Sequence, residues 1–262
     1  MKLSELNKSQ LGSVQQRFAL ASDVYNDSAP EHQLNGGWQR AFTSAEVPGL
    51  GDRGFYGAVY KRTIDGKDEH VIAFRGMDDI RDLDDVAELV LGTAPGQLSD
   101  AYRFAMEAAQ KLKFNPASAE YIGHSMGGYL SKAVGLLNGS QKIMAFNSPG
   151  LFRQDPQELP RRIQEEFGEN KADITMRQIS ESVLSIDSKF DFVSWLGSLR
   201  GNTLKISTRG RQHELSSLEE SFSRAAEGIQ NNTLPRPQEL PERPTTAVTA
   251  RAPAWGATAA FA

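Results

Sequence analysis

The stretch YIGHSMGG, residues 121–128, decides the fold because it predicts a buried strand that turns sharply into a helix, with Ser125 at the apex. Gly123 and Gly127 flank that serine in a G-x-S-x-G pattern, where strand and helix come too close for larger side chains. The bare pattern also occurs in ordinary loops, so its context matters. Residues 120–122 suit a short buried strand, and the apolar spacing beyond the serine is helical. The stretch therefore predicts a strand, an elbow and a helix in that order.

The composition excludes several classes of function. The chain has 262 residues, of which 39% are hydrophobic and 24% charged, with a formal net charge of -4 and no basic stripe, so we predict no nucleic-acid partner. It contains no cysteine, which excludes disulfides, thiolate metal sites and a cysteine nucleophile. No apolar run approaches the ~20 residues that cross a bilayer, and the first residues lack a signal-peptide core. We expect a protein that is cytoplasmic or exported by a non-Sec secretion system.

Apolar spacing and turn residues predict alternating elements on both sides of the elbow. Residues 54–63 and 69–74 favour two antiparallel strands joined at Asp65-Gly66, a hairpin turn signal. Beyond the elbow, strands alternate with helices, which is typical of a mostly parallel sheet with helices on both faces. The remaining predictions are a loop at 36–38, helices at 9–25, 101–112 and 153–170 and after His213, and strands at 142–146, 182–187 and 202–206.

Three further segments complete the chain. Residues 89–95 form an apolar connection with glycine, either a lid over a pocket or a loop packed on the core. The aspartates of residues 78–85 lack the glycine spacing of a calcium loop, so we predict no metal site there. Residues 231–262 are rich in Pro, Ala and Thr without apolar periodicity, which predicts a disordered tail after one domain at residues 1–230.

A serine hydroxyl needs a base before it becomes a good nucleophile, and that base is usually a histidine oriented by a carboxylate. Of the four histidines, His213 lies in a loop after the last predicted strand, where the chain order Ser…Asp…His expects it. A lone loop histidine is otherwise most simply a solvated surface residue. Asp187 and Asp191 both follow a strand between serine and histidine, and each could instead cap a loop.

Several separated motifs resemble the class 3 lipase family, the fungal-type lipases and their phospholipase A1-like relatives. The elbow resembles the family's G-H-S-L-G-G, and D-F-V at 191–193 resembles the D-x-V that carries its catalytic aspartate. The resemblance covers roughly residues 19–222. The other matching motifs are V-I-A-F-R-G at 71–76 with the family's V-A-F-R-G-T, R-D-L-D-D at 81–85 with R-D-W-x-x-D, and F-N-S-P at 146–149 with F-G-S-P.

The resemblance implies an α/β-hydrolase fold and a set of site residues. Ser125 corresponds to the nucleophile, His213 to the general base and Asp191, rather than Asp187, to its orienting acid. The backbone N–H groups of Met77 and Met126 correspond to the oxyanion hole, and no cofactor or metal is implied. Met77 departs from the family, which has Ser or Thr there, so a supporting hydroxyl is lost.

These observations predict a serine carboxylester hydrolase that cleaves lipid acyl esters, as a lipase or a phospholipase A1-like enzyme. The partner is a lipid or other acyl-ester substrate, in solution or at a membrane surface, and oligomeric state is not predicted. Two alternatives stay open. One is a small-acyl esterase or acyltransferase with the same three residues, and the other is a catalytically silent α/β-hydrolase domain that binds a lipid or a protein.

Overall fold

One mixed sheet organises the chain. The computed structural model describes residues 1–26, 33–50, 54–77 and 83–231, with the backbone alone at residue 33 and residues 83–95. Eight strands in this part follow one another across the sheet in chain order, antiparallel from the first to the fourth and parallel from the fourth to the eighth. They are β1 (Gln33–Leu34), β2 (Trp38–Thr43), β3 (Gly57–Ile64), β4 (Lys67–Phe74), β5 (Glu120–His124), β6 (Ile143–Phe146), β7 (Val183–Ser188) and β8 (Asn202–Ile206).

Helices cover both faces of this sheet. Neighbouring residues of a strand point to opposite faces, and Tyr121 and Ile122 of β5 accordingly join two separate hydrophobic clusters. Tyr121 packs in the cluster that contains Phe104 and Leu130, and Ile122 packs in the cluster that contains Phe18. The α/β-hydrolase fold is thereby confirmed. The helices are α1 (Lys8–Asp23), α2 (Leu83–Leu112), α3 (Met126–Leu137), α4 (Asp155–Phe167), α5 (Met176–Ser182) and α6 (Leu215–Gln230).

The hairpin of β3 and β4 forms as its turn residues predict. Asp65 and Gly66 both have positive φ, 51° and 72°, which is the backbone of a two-residue hairpin turn. The pairing then runs without interruption from Ile64 opposite Lys67 to Gly57 opposite Phe74. From β4 onward the strands are parallel, and all residues of β5 and β6 are buried because helices cover both faces.

One prediction of local structure is one residue too long, and another is wrong. Residues 36–38 were expected in a loop, but Trp38 begins β2, and Gly36 and Gly37 supply the positive-φ turn between β1 and β2. Such short strands form because β3 offers a pairing edge, which local spacing does not reveal. The supposed connection at 89–95 is also helical in its backbone, because α2 runs unbroken from Leu83 to Leu112 and packs on α3. Gly92, Pro95 and Gly96 do not interrupt this helix, although local propensity predicts a break there.

The remaining expectations fall partly outside the description. Residues 78–82 and the proposed tail from 232 onward lie outside the described residues, as does His32. The last described helix, α6, ends at Gln230, next to the expected domain boundary. Within the described ranges, no helix combines the length and the apolar character needed to cross a membrane.

Candidate active site

Ser125 occupies a strained turn between β5 and α3. Its φ of 56° and ψ of -127° are rare for a residue with a side chain, and the cost of that conformation is of the order of 1–3 kcal/mol. Surrounding backbone holds it there, because the Ser125 N–H donates to the Phe146 carbonyl at 3.0 Å and the Ser125 carbonyl accepts from the Gly128 N–H at 3.0 Å. The strand, elbow and helix therefore occur in the predicted order.

The glycines of the elbow are required by close backbone contacts. A Cβ atom at Gly127 would lie 2.0 Å from the Phe74 carbonyl oxygen at the end of β4. A Cβ at Gly123 would lie 2.3 Å from the carbonyl carbon of Gly127, and one at Gly128 would lie 2.6 Å from the Ser148 side chain. Only hydrogen fits at these positions, which is the reason the G-x-S-x-G-G spacing specifies this turn.

The structure brings the three predicted side chains together. His213 Nε2 lies 2.9 Å from Ser125 Oγ, and His213 Nδ1 lies 2.8 Å from Asp191 Oδ1. Asp191 is buried, and its second carboxylate oxygen accepts the Ser194 N–H at 2.8 Å. Because a carboxylate accepts and does not donate, the proton of neutral His213 lies on Nδ1. Nε2 then accepts the hydroxyl proton of Ser125.

Asp187, the competing carboxylate, lies elsewhere. Its Oδ2 accepts from Lys205 Nζ at 3.1 Å, and its Oδ1 has no hydrogen-bond partner among the described residues. Burial raises the pKa of this carboxyl group, although Lys205 and Lys132 act in the opposite direction. Lys205 also donates to Ser194 Oγ at 3.1 Å, and that hydroxyl donates to the backbone carbonyl oxygen of Asp191 at 2.9 Å. The contacts of Asp187 therefore end on the backbone of Asp191 and not on the carboxylate that faces His213.

The turn after β4 lies directly against Ser125. A Cβ atom at Gly76 would be 2.6 Å from the His124 carbonyl oxygen and 3.1 Å from Ser125 Cβ. The Gly76 N–H already donates to Tyr25 Oη at 3.0 Å, which leaves the next N–H of this turn, that of Met77, as the candidate oxyanion donor. Met126, on the other side, is the first residue of α3, and the N–H of that position has no partner within the helix.

His124, the neighbour of the serine, has a supporting position that the sequence did not reveal. Its Nε2 lies 2.7 Å from the carbonyl oxygen of His213, which can only accept, so Nε2 carries the proton. Its Nδ1 then accepts from the Tyr25 hydroxyl at 2.9 Å. Burial, and secondarily the nearby His213, lower the pKa of His124 to about 3. His124 is therefore neutral, and it joins the serine strand to the loop that carries His213.

Asn147 makes a second link to the same loop. Its Nδ2 donates to the Gln212 carbonyl at 2.9 Å, and its Oδ1 accepts the Ser188 N–H at 2.7 Å. Its φ of 42° is positive, at the position where the F-x-S-P motif of class 3 lipases has glycine. The signal in the sequence was this exchange of glycine for asparagine, a residue that tolerates positive φ and adds an amide.

The helix that follows the elbow, α3, carries a buried lysine. Lys132 of α3 is fully buried, and its Nζ donates to the Pro149 carbonyl at 2.6 Å and to Ser148 Oγ at 3.1 Å. Burial lowers the pKa of this amine to about 7, against an attraction to Asp187 that raises it.

The remaining histidine of the described chain is His70, whose ring stacks on Phe114 with the ring centroids 4.2 Å apart. No group of three metal-ligating side chains occurs in the ranges that the structure describes.

Comparisons with solved structures give distant matches. The extracellular lipase LipA from Serratia marcescens is 21% identical over 38% of this chain, with a TM-score of 0.25, and the match spans only 20% of that lipase. A hyperthermophilic esterase from the archaeon Pyrobaculum calidifontis is 15% identical over 87% of this chain and 92% of its own, with a TM-score of 0.38. At such TM-scores these matches add no argument, and the fold assignment rests on the sheet and the elbow.

Family membership comes from a different comparison. No curated protein gave a significant match to the sequence. A family model, Phospholipase-like, described as a Tle-like phospholipase domain, matches residues 16–234, a span that includes the elbow and both loops facing it. That span is well over half of the chain. The protein therefore belongs to the Phospholipase-like family, whose model describes a Tle-like phospholipase domain.

Proposed function

We propose that this protein hydrolyses acyl esters of phospholipids, in the manner of a phospholipase A1, with Ser125 as the nucleophile. The observation that carries the proposal is the unbroken line of hydrogen bonds from Ser125 Oγ to His213 and from His213 to Asp191, at 2.9 and 2.8 Å. Membership in the Phospholipase-like family supports a phospholipid as the ester. The first acyl position is taken from the motifs that resemble those of the phospholipase A1-like relatives of class 3 lipases.

Acylation begins when His213 Nε2 takes the proton of Ser125 Oγ while that oxygen bonds to the ester carbonyl carbon. The carbonyl electron pair moves to its oxygen and forms a tetrahedral intermediate. When this intermediate collapses, the bond to the alkoxide breaks, and His213 returns its proton to the departing lysophospholipid oxygen. The product is an acyl group on Ser125, which a water molecule, deprotonated by the same nitrogen, then hydrolyses to the fatty acid.

Asp191 acts on these reaction steps through His213. It keeps the histidine proton on Nδ1, so that Nε2 faces the serine, and it stabilises the imidazolium that forms during both half-reactions. Its burial and its bond from the Ser194 N–H hold the carboxylate in place. Asp191 is thus an orienting residue whose loss changes the tautomer available to Ser125.

The N–H groups of Met126 and Met77 donate to the oxyanion in this proposal. Met126 is suited by its position at the start of α3, where the helix dipole also favours negative charge. Met77 is suited by the close approach of the preceding Gly76 to Ser125. In other serine hydrolases, removing one such donor costs about 2.7–4 kcal/mol of transition-state stabilisation, which indicates how much each N–H contributes.

Fatty-acid release from a mixed-chain lipid tests the proposal. Vesicles of 1-palmitoyl-2-oleoyl phosphatidylglycerol are incubated with wild type, Ser125→Ala and the surface control Ser180→Ala, and products are identified by mass spectrometry. We expect palmitate and a 2-oleoyl lysolipid from wild type and Ser180→Ala, and neither from Ser125→Ala.

Each other outcome corrects a named part of the proposal. Oleate in place of palmitate would move the cleavage to the second acyl position. Hydrolysis restricted to soluble short-chain esters would replace the phospholipid by a small acyl ester. Release that persists in Ser125→Ala would show that Ser125 is not the nucleophile, and no hydrolysis of any ester would leave a binding domain.

A further inference from the structure

The loop after β7 exposes three aromatic side chains within six residues. Phe190 is 66% exposed, Phe192 41% and Trp195 54%, and the rings of Phe192 and Trp195 lie 6.4 Å apart. Scattered exposed apolar residues are ordinary on a protein surface, whereas a contiguous group of aromatics usually marks an interaction site. The segment that carries them, residues 190–195, is called the aromatic loop.

The aromatic loop is held rigidly in this exposed arrangement. Between its aromatic residues, Asp191, Val193 and Ser194 are buried. The Trp195 N–H donates to the Phe192 carbonyl at 2.9 Å, which closes a short 3-10 turn. The buried side chains fix the backbone, so the exposure of the aromatic rings is built into the fold.

This loop lies at the edge of the sheet that carries Ser125. It follows the carboxyl end of β7, just as Ser125 follows the carboxyl end of β5, and parallel strands share that edge. Its Asp191 reaches His213, and the Lys189 N–H donates to the Ile206 carbonyl at 2.9 Å, so the loop runs beside the one that carries His213. The exposed aromatics therefore border the proposed active site.

Three exposed cations lie beside the aromatic loop in the chain or on the neighbouring loop that carries His213, although the whole chain is acidic. Lys189, Arg209 and Arg211 are exposed on the two adjoining loops, while the formal net charge of the chain is -4. Arg211 pairs with Glu214 at 3.0 Å, and no ion pair of Lys189 or Arg209 is found within the described residues. Aromatic rings beside exposed Lys and Arg are the side-chain combination that suits the headgroup region of an anionic bilayer.

We propose that the aromatic loop docks the enzyme on anionic phospholipid membranes. Phe190, Phe192 and Trp195 enter the interface between headgroups and acyl chains, and the neighbouring cations pair with lipid phosphates. Docking at this edge brings Ser125 to the plane in which the ester bonds of phospholipids lie. The choice of a lipid surface as partner rests on the function proposed above, and the experiments separate the two.

Tryptophan fluorescence tests the insertion directly. The protein is Ser125→Ala, to prevent hydrolysis, combined with Trp255→Phe, so that Trp195 and the fully buried Trp38 are the remaining tryptophans. Phosphatidylglycerol vesicles should shift the emission of Trp195 to shorter wavelength, and lipids brominated at the top of the acyl chain should quench it. Emission that neither shifts nor is quenched would overturn the proposal, and the aromatic loop would then suit a protein partner instead.

A matched pair of variants tests the assignment to this loop. Phe190→Ala combined with Trp195→Ala removes two exposed rings, and Ile64→Ala removes a 44% exposed apolar side chain at the β3–β4 turn, on the opposite edge of the sheet. In the Ser125→Ala background, we expect the double variant to co-sediment with phosphatidylglycerol vesicles at least about tenfold more weakly. Ile64→Ala should bind as the parent does. Equal binding by both variants would contradict the proposal.

Hydrolysis measurements separate docking from the proposed chemistry. With Ser125 present, the double variant should lose activity on vesicles but hydrolyse a soluble short-chain ester within about threefold of wild type, because it retains Asp191. A parallel loss on both substrates would show that the rings support the active site rather than dock it. Vesicle binding without hydrolysis of any ester would refute the catalytic proposal and leave the docking surface. Ester hydrolysis without vesicle binding would refute the docking surface and leave the catalytic proposal.

Discussion

The elbow and the two loops that face it hold their side chains by different physical means. At the elbow, Gly123 and Gly127 allow backbone to touch backbone, and the position of Ser125 follows from sterics. In the loops, Asp191 and His213 lie in irregular chain, and no glycine lies within two residues of either one.

Hydrogen bonds from distant side chains replace that packing in the loops. His124 donates to the carbonyl of His213, and Asn147 donates to the carbonyl of Gln212. Neutral His124 is suited to this because its lowered pKa, about 3, keeps it a donor at one nitrogen and an acceptor at the other. The nucleophile is thus placed by a contiguous stretch of sequence, and its base is placed by contacts across the fold.

The largest effect is expected from the two competing carboxylates. Asp191→Asn should reduce kcat on a soluble ester by about 10³–10⁴-fold, because an amide in that place favours the wrong tautomer of His213. Asp187→Asn, four residues earlier and within β7, should stay within about tenfold of wild type, because Asp187 contacts Lys205 and not His213. Initial rates of both variants check this, and equal losses would mean that the carboxylates act as one unit.

A methyl group added in the elbow should have a nearly equal energetic cost, but on the stability of the fold rather than on the reaction rate. Gly127→Ala places a Cβ 2.0 Å from the Phe74 carbonyl oxygen, and we expect a loss of about 3–4 kcal/mol in the free energy of unfolding. Gly12→Ala is the matched control, because a Cβ there meets nothing within 4 Å inside α1. It should stabilise the protein by about 0.5–1 kcal/mol. Urea unfolding measures both, and a mild effect of Gly127→Ala would refute steric placement of Ser125.

Loss of the Asn147 amide should give an intermediate effect on rate. Asn147→Gly keeps the positive φ of 42° accessible but removes the bonds to Gln212 and Ser188. We expect kcat to fall about 10–100-fold, equivalent to about 1.4–2.7 kcal/mol, with binding of a soluble ester little changed. Asn147→Ala adds backbone strain and should be less stable than Asn147→Gly. Wild-type kcat in the glycine variant would show that the backbone conformation alone positions His213.

The smallest effect concerns Lys132, which joins the elbow helix to the turn after β6. The unfolded chain keeps this proton up to a pKa of 10.5 and the folded protein only up to about 7, so between these values the unfolded state binds more protons. Wild type therefore gains stability relative to Lys132→Met as pH rises. The free energy of unfolding of wild type minus that of Lys132→Met should be on the order of 2 kcal/mol larger at pH 9 than at pH 6. The surface variant Lys142→Met is the control, and a pH-independent difference would contradict the assignment.

The features that sequence predicted are those encoded by neighbouring residues. The Asp65-Gly66 hairpin and the elbow glycines are local, and both formed as expected. The adjacency of Ser125, Asp191 and His213 followed from chain order, because parallel strands bring their carboxyl ends together. The choice between Asp187 and Asp191 came from a motif rather than from geometry.

The features that sequence did not reveal depend on contacts between distant residues. Tyr25 and His124 are 99 positions apart and meet only in the folded chain. Strand β2 exists because β3 offers it an edge, and α2, which packs on α3, continues through Pro95. Gly92, Pro95 and Gly96 argue against an unbroken α2, and β2 needs a partner strand that local spacing does not identify.

Active-site labelling tests the central claim, that Ser125, His213 and Asp191 act as one nucleophilic unit. A fluorophosphonate is reacted with wild type, His213→Ala and Asp191→Asn, and the modified residue is located by peptide mass spectrometry. We predict a single adduct on Ser125, formed at least about 10³-fold more slowly in His213→Ala. An adduct on another serine, or an undiminished rate in His213→Ala, would contradict the account.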